Sequence, residues 1–210
     1  MTYKHFLFDL DGTLTDPAIG ITNSILYAME KFGIPKVERE KLYCFIGPPL
    51  LDMFQSVFGV TKEEAQTLLT LYREYFSTKG LYENTLYDGI KETLAALKKQ
   101  GAILCLATSK PEGFAKEILR HFELYDYFDF IGGSTMEETR TKKEDVIAYV
   151  LEEAKLPKEN TLMVGDRIYD IEGAKMHALP CAAVLYGYGD REELKEADYL
   201  LDKFEELLNI

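Results

Sequence analysis

The chain begins with an apolar run, Phe6-Leu7-Phe8, that passes directly into Asp9-Leu10-Asp11-Gly12-Thr13-Leu14-Thr15-Asp16. An apolar run without polar alternation predicts a strand buried on both faces, the form strands take in a parallel sheet. After Asp16-Pro17 the period changes. Ile21, Ile25, Ala28, Met29 and Phe32 follow a helical stripe that Gly33 and Pro35 stop. Leu42 to Ile46 fits neither period, and Gly47-Pro48-Pro49 breaks the chain. Leu50, Met53, Phe54 and Val57 resume helical spacing as far as Gly59. Thr61-Lys62-Glu63-Glu64 is a capping box, and it opens a helix whose apolar positions are Ala65, Leu68, Leu69, Tyr72, Tyr75 and Phe76. From residue 16 to 83 every periodic segment is helical.

From Asp88 the pattern alternates. A helix carrying Ile90, Leu94 and Leu97 closes at Gly101, and Ile103 to Ala107 reads as a buried strand. Thr108-Ser109-Lys110-Pro111 then leads into a helix with Phe114, Ile118 and Leu119. Phe128 to Ile131 reads as a short strand ahead of Gly132-Gly133. Thr141-Lys142-Lys143-Glu144 reads as a second capping box, opening a helix with Val146, Ile147, Val150 and Leu151. Leu162-Met163-Val164 is a strand, Gly165-Asp166-Arg167-Ile168-Tyr169-Asp170 enters a helix, and Cys181 to Leu185 and Tyr199-Leu200 are the last strand-like segments. Alternating strands and helices predict an α/β fold, a doubly wound parallel sheet covered on both faces, with an inserted α-helical subdomain. The expected division is a core of residues 1–15 with 86–210 and a helical cap of residues 16–85.

Composition narrows the function. The 210 residues, 47% hydrophobic and 29% charged, are enough to bury a sizeable core. A net charge of −12 argues against a nucleic-acid binder, which needs a basic face. A small anionic substrate is compatible with it, because a metal and a few cations set the field inside one cleft. Cys44, Cys105 and Cys181 form no close pair, and the three histidines are too dispersed for a zinc site. The first strand starts within a few residues of Met1, so no secretory signal is expected and a cytoplasmic location is. Ala102 to Ala107 is too short to cross a bilayer, so no membrane partner is expected.

The residues that could carry chemistry lie after the predicted strands, where ligands of open α/β sheets bind. Asp9 and Asp11 would point the same way if the strand ran through both, and Gly12 permits a turn whose N–H groups approach an anion. Ser109, Lys143 and the pair Asp166/Asp170 follow later strands. Each has a plainer alternative: Ser109 with Glu112 fits a helix N-cap, and so does Asp166 after Gly165. Lys143 fits a scaffold role less well, since a cation in the first turn opposes the helix dipole unless an anion is nearby.

In that order, DLDGTLTD (Asp9 to Asp16), the strand-terminal Thr108-Ser109, the lysine at a helix start and GDRIYD (Gly165 to Asp170) resemble the haloacid dehalogenase superfamily over nearly the whole chain. The stretch FIGPPL, with Tyr72-Arg73-Glu74 and Leu81-Tyr82-Glu83-Asn84, is similar to phosphoglycolate phosphatases and bacterial 5′-nucleotidases. The resemblance implies a Rossmann-like core with a helical cap and a phosphatase of small phosphorylated metabolites. It implies Asp9 as nucleophile forming an aspartyl-phosphate and Asp11 as general acid/base. Mg²⁺ would be held by Asp9, the Asp11 main-chain carbonyl and Asp166, with Asp170 in the metal site either nearby or one layer further out. Phosphate oxygens would meet Ser109, Lys143 and the N–H groups around Gly12, with Lys110 as a further substrate contact. Apart from the resemblance, Gly47-Pro48-Pro49 reads as a stiff, side-chain-poor loop suited to close approach by a substrate, or else as a plain turn between two cap helices. Two departures stand out: Glu144 occupies the place of a proline that often follows the motif lysine, and His177-Ala178 replaces a common Asn-Gly. A phosphomutase of the β-phosphoglucomutase type shares these core residues, and a catalytically silent binding module on the same fold is the alternative from another class. Monomer and homodimer are both left open.

Overall fold

A computed structural model describes residues 2–137 and 139–210. The chain forms two compact units, one built from the chain up to Asp16 together with Leu86–Ile210, the other from Pro17–Thr85. The larger unit is a six-stranded parallel sheet of β1 (His5–Phe8), β4 (Ile103–Pro111), β5 (Phe130–Ser134), β6 (Thr161–Gly165), β7 (Cys181–Val184) and β8 (Tyr199–Leu201). Two-residue strands β2 (Thr15–Asp16) and β3 (Thr85–Leu86) lie where the sequence passes between the units.

The sheet order is β5-β4-β1-β6-β7-β8. From β1 the chain fills one side through β4 and β5, then returns beside β1 with β6 and fills the other. The reversal falls between β1 and β6, and a crevice opens beyond the carboxyl ends of the strands at such a point. Register is set by burial: Phe8 pairs with Leu106 of β4 and Val164 of β6, and all three are fully buried. Alternate residues serve opposite faces. Leu7, Cys105, Met163 and Cys181 pack with Val146, Ile147 and Val150 of α6 (Lys143–Glu153) and Ile171 and Ala174 of α7 (Ile168–Met176). Phe8 instead packs by its ring on Phe6, Phe128 and Phe204. The remaining helices of this unit are α4 (Ile90–Lys99) and α5 (Glu112–His121).

The smaller unit consists of α1 (Ala18–Phe32), α2 (Leu50–Phe58) and α3 (Lys62–Tyr75), with a 3-10 segment at Arg39–Phe45 and a π-helical turn at Phe76–Gly80. The capping box at Thr61 and Glu64 is present, each group bonded to the other's main-chain N–H. Phe45, Phe54 and Phe58 form a ring cluster with centroids 5.5–6.0 Å apart. A Cβ at Gly20 would lie 1.9 Å from the Gly80 carbonyl oxygen, so only glycine lets α1 approach that turn.

Two sequence expectations are corrected. β5 contains Gly132 and Gly133 rather than stopping before them, because a Cβ at Gly132 would come 2.3 Å from Val150 Cγ2 and one at Gly133 2.7 Å from Glu112 Cα. The N-cap of α6 is Lys142, not Thr141, so the second capping box does not form. Ala178 takes the left-handed conformation, φ 57°, that the missing glycine would have taken more easily.

Candidate active site

β1 ends at Phe8, and Asp9 stays tied to the next strand by donating its N–H to Val164 O at 2.9 Å. The chain then turns. The Leu10 carbonyl accepts from the N–H groups of Leu14 at 2.9 Å and Thr15 at 3.0 Å, and Gly12 N–H donates to Thr15 O at 2.8 Å. Asp9 and Asp11 therefore do not share a continuing strand. Gly12, at φ 87°, is required twice over, since a Cβ there would also lie 2.1 Å from an Asp166 carboxylate oxygen.

β4 runs on through Thr108, Ser109, Lys110 and Pro111, with a register irregularity between Ala107 and Pro111. Ser109 is thus a half-buried strand residue, and the N-cap of α5 is Pro111, which removes the capping alternative for Ser109. The same stretch brings the Lys110 ammonium onto the Asp11 carboxylate, both groups buried. Lys143, the first residue of α6, reaches back into the sheet. Its Nζ lies 2.8 Å from Asp9 Oδ1 and 2.9 Å from Asp170 Oδ1, and it donates to Ala107 O at 3.0 Å. Two nearby carboxylates are the anions its position requires.

Asp166 follows β6 and does not cap α7. The capping acceptor is Asp170, whose Oδ2 takes the N–H groups of Asp166 and Arg167 at 3.1 Å each. The Asp166 carboxylate is held by Thr13 Oγ1, which donates to Oδ1 at 3.0 Å, and by Tyr188 N–H, which donates to Oδ2 at 2.9 Å. Thr13 and Tyr188 went unseen in the sequence. Main-chain donation leaves no residue-type signature, although the spacing Tyr186-Gly187-Tyr188-Gly189 after a strand signals close backbone approach.

Asp9, Asp166 and Asp170 offer oxygens that all lie within 4.8 Å of one another. Among the described residues the buried charged groups are Asp9, Asp11, Asp166 and Asp170 against Lys110 and Lys143. With all four carboxylates ionised they exceed the two ammonium groups by two negative charges, which one divalent cation would balance. Burial, then the charges of Asp170 and Asp9, push Asp166 well above the ordinary carboxylate range. Burial likewise raises Asp170, opposed by Lys143, and Asp11, opposed by Lys110. Burial alone would lower Lys143, but Asp170 and Asp9 overcome it and keep the ammonium protonated. An all-oxygen anionic set of this kind fits a hard cation such as Mg²⁺. The Asp11 carboxylate is outside the trio, engaged by Lys110. Gly47, at φ 108°, belongs to the helical unit.

A family model described as haloacid dehalogenase-like hydrolase matches residues 6–184. A 5′-nucleotidase of Pseudomonas aeruginosa is 45% identical over 93% of this chain and 88% of its own length. The tyrosine-protein kinase PtkA of Mycobacterium tuberculosis is 39% identical over 87% of this chain, which spans 62% of that longer protein. A crystal structure described as a predicted phosphatase from Clostridium acetobutylicum superposes with a TM-score of 0.96 at 44% identity, covering 100% of this chain and 98% of the other.

Proposed function

The chain belongs to the haloacid dehalogenase-like hydrolases and is a phosphatase of small phosphate substrates, and from that premise we propose that it hydrolyses a phosphomonoester through an aspartyl-phosphate on Asp9. The observation that carries the reading is the placement of Asp9 at the sheet's reversal point, with Lys143 on one of its oxygens and Asp166 and Asp170 alongside. The substrate class is a small phosphorylated metabolite, a nucleoside 5′-monophosphate or phosphoglycolate.

Mg²⁺, held by Asp9, Asp166 and Asp170 with the Asp11 carbonyl, would neutralise phosphate charge and so let a carboxylate approach an anion. Asp9 supplies the in-line oxygen: it bonds to phosphorus as the bond to the leaving alkoxide breaks. Asp11, kept by burial above the ordinary carboxylate range, donates the proton that the alkoxide takes and later accepts one from the water that cleaves the acyl-phosphate. Lys110 holds Asp11 in place during this exchange. Lys143 orients Asp9 and, with Ser109, offers positive potential and a hydroxyl to phosphate oxygens, whereas the N–H groups of Gly12, Thr13, Leu14 and Thr15, expected from the sequence to do so, are spent on Thr15 O and Leu10 O within the turn.

These residues address only the phosphate, so we assign leaving-group choice to the helical unit, with the stiff Gly47-Pro48-Pro49 turn as its first candidate. Because Gly47 sits at φ 108°, substitution reshapes the turn, and the readout is the ratio of kcat/KM for a nucleoside monophosphate over phosphoglycolate. A severalfold change in that ratio is expected, whereas an equal loss on both substrates returns the turn to scaffold.

The central test is Asp9→Asn assayed on a chromogenic phosphate ester with Mg²⁺ and in chelator. Turnover should fall by several orders of magnitude, as loss of a nucleophile does. Rapid-quench mass spectrometry should find a labile phosphate on the wild type alone. Substantial turnover in the variant, or full activity in chelator, sinks the mechanism. A second reading, transfer to a hydroxyl instead of water, draws on the likeness to a kinase. Product analysis separates them, since free phosphate marks a hydrolase and an isomeric or new phosphoester a transferase or mutase.

A further inference from the structure

We infer that Tyr186 and Tyr188 are positioning residues that lock Asp166 to the loop carrying Asp9 and Asp11; the inference rests on the proposed metal role of Asp166. The segment that follows β7 grips three points at once. The Tyr186 phenol donates to the Thr13 carbonyl at 2.8 Å. Tyr188 gives its main-chain N–H to Asp166 Oδ2 at 2.9 Å and its phenol to Asp16. Thr13 closes the triangle from the other side through its hydroxyl on Asp166 Oδ1.

Space as well as bonding enforces the arrangement. A Cβ at Gly187 would fall 2.3 Å from Asp166 Cβ and 2.5 Å from the Gly12 carbonyl oxygen. Gly189 N–H donates to the Asp166 carbonyl at 3.0 Å, and a Cβ there would come within 2.3 Å of that same oxygen. The Tyr186 ring is itself held by Tyr87, centroid to centroid 4.7 Å. Both carboxylate oxygens of Asp166 therefore take donors from two chain segments that are fastened to each other by phenol hydroxyls. What the hydroxyls add is registry between a metal-binding carboxylate and the nucleophile loop, the kind of outer support that governs ligand orientation.

Tyr186→Phe and Tyr188→Phe keep the rings and the main-chain N–H and remove only the hydroxyls. Each should weaken Mg²⁺ binding, measured by titration calorimetry, and lower kcat by about tenfold, with KM for a chromogenic ester little changed. Asp16→Ala should weaken Mg²⁺ binding in the same direction as Tyr188→Phe, whose hydroxyl also bonds Tyr87, and the double variant should lose less than the two single losses added together, because both break the Tyr188–Asp16 bond. Asp16→Asn, which keeps an acceptor, should restore most of the Mg²⁺ affinity lost in Asp16→Ala. If Tyr188→Phe fails to fold by circular dichroism, Tyr186→Phe and the Asp16 pair carry the test. Variants with lowered melting temperature but wild-type Mg²⁺ affinity and kcat would overturn the inference and leave the proposed function standing. A wild-type protein that neither binds Mg²⁺ nor hydrolyses the ester would overturn both.

Discussion

Replacing Lys143 by Met keeps an unbranched side chain only one atom shorter and removes its charge, which isolates what the ammonium does for stability. All three of its contacts are internal: Asp9 Oδ1 at 2.8 Å, Asp170 Oδ1 at 2.9 Å and the Ala107 carbonyl at 3.0 Å. Lys143, Asp9 and Asp170 are each at most 4% exposed, so water compensates little for the loss. Removing one partner of a buried ion pair costs about 3–5 kcal/mol because the other charge stays buried without its counterion. Here two carboxylates are stranded, and the upper half of that range is expected. Total stabilities of about 5–15 kcal/mol leave room for a variant that folds but melts early. Urea unfolding followed by circular dichroism at neutral pH in chelator measures the cost. Saturating Mg²⁺ should then recover part of it, since a cation among Asp9, Asp166 and Asp170 supplies positive charge where the ammonium was. A loss in chelator no larger than about 1 kcal/mol, the value of an exposed pair, would refute the reasoning.

Wild-type protein should gain about 2.7 kcal/mol at a Mg²⁺ concentration one hundred times its dissociation constant, and Asp166→Ala should abolish most of the gain in the same urea titration. Ala178→Gly should stabilise by about 0.5–1 kcal/mol, because relief of a left-handed side chain outweighs the added freedom of the unfolded glycine; an unchanged or lowered melting temperature would contradict this. Burial pushes the Cys105 thiol up to about 12 and Cys181 well above its ordinary value, while Cys44 is exposed. At pH 8 the folded protein should present one fast thiol to a disulfide reagent and the denatured protein all three.

Much of the fold is legible because burial imposes period. Phe6 to Phe8, Ile103 to Ala107 and Leu162 to Val164 are apolar without alternation, and they are the three strands at the centre of the sheet. The misplaced strand was β5, because a glycine pair shows no side-chain pattern, yet α5 and the Val150 side chain of α6 come so close that only glycine fits. The acids of the site were legible as residue types after strands. Their partners were less so. That Lys110 would meet Asp11, or that Asp170 rather than Asp166 would cap α7, depends on a strand irregularity and a helix start offset by one residue, which no period records.

The central place of β1 has a consequence for the chain as it is made. Phe8 pairs with Leu106 on one side and Val164 on the other, and the helical unit lies in the sequence between β1 and its first partner. At about 5–20 residues per second, the interval between synthesis of Phe8 and Leu106 is about 5–20 s. During it the Phe-Leu-Phe segment stays unpaired at both edges while the helical unit that follows it in the sequence reaches its full length. Of the six strands of the sheet β1 thus waits longest for its first partner, and chaperone capture of the nascent chain would have its clearest target at the segment that later presents the nucleophile.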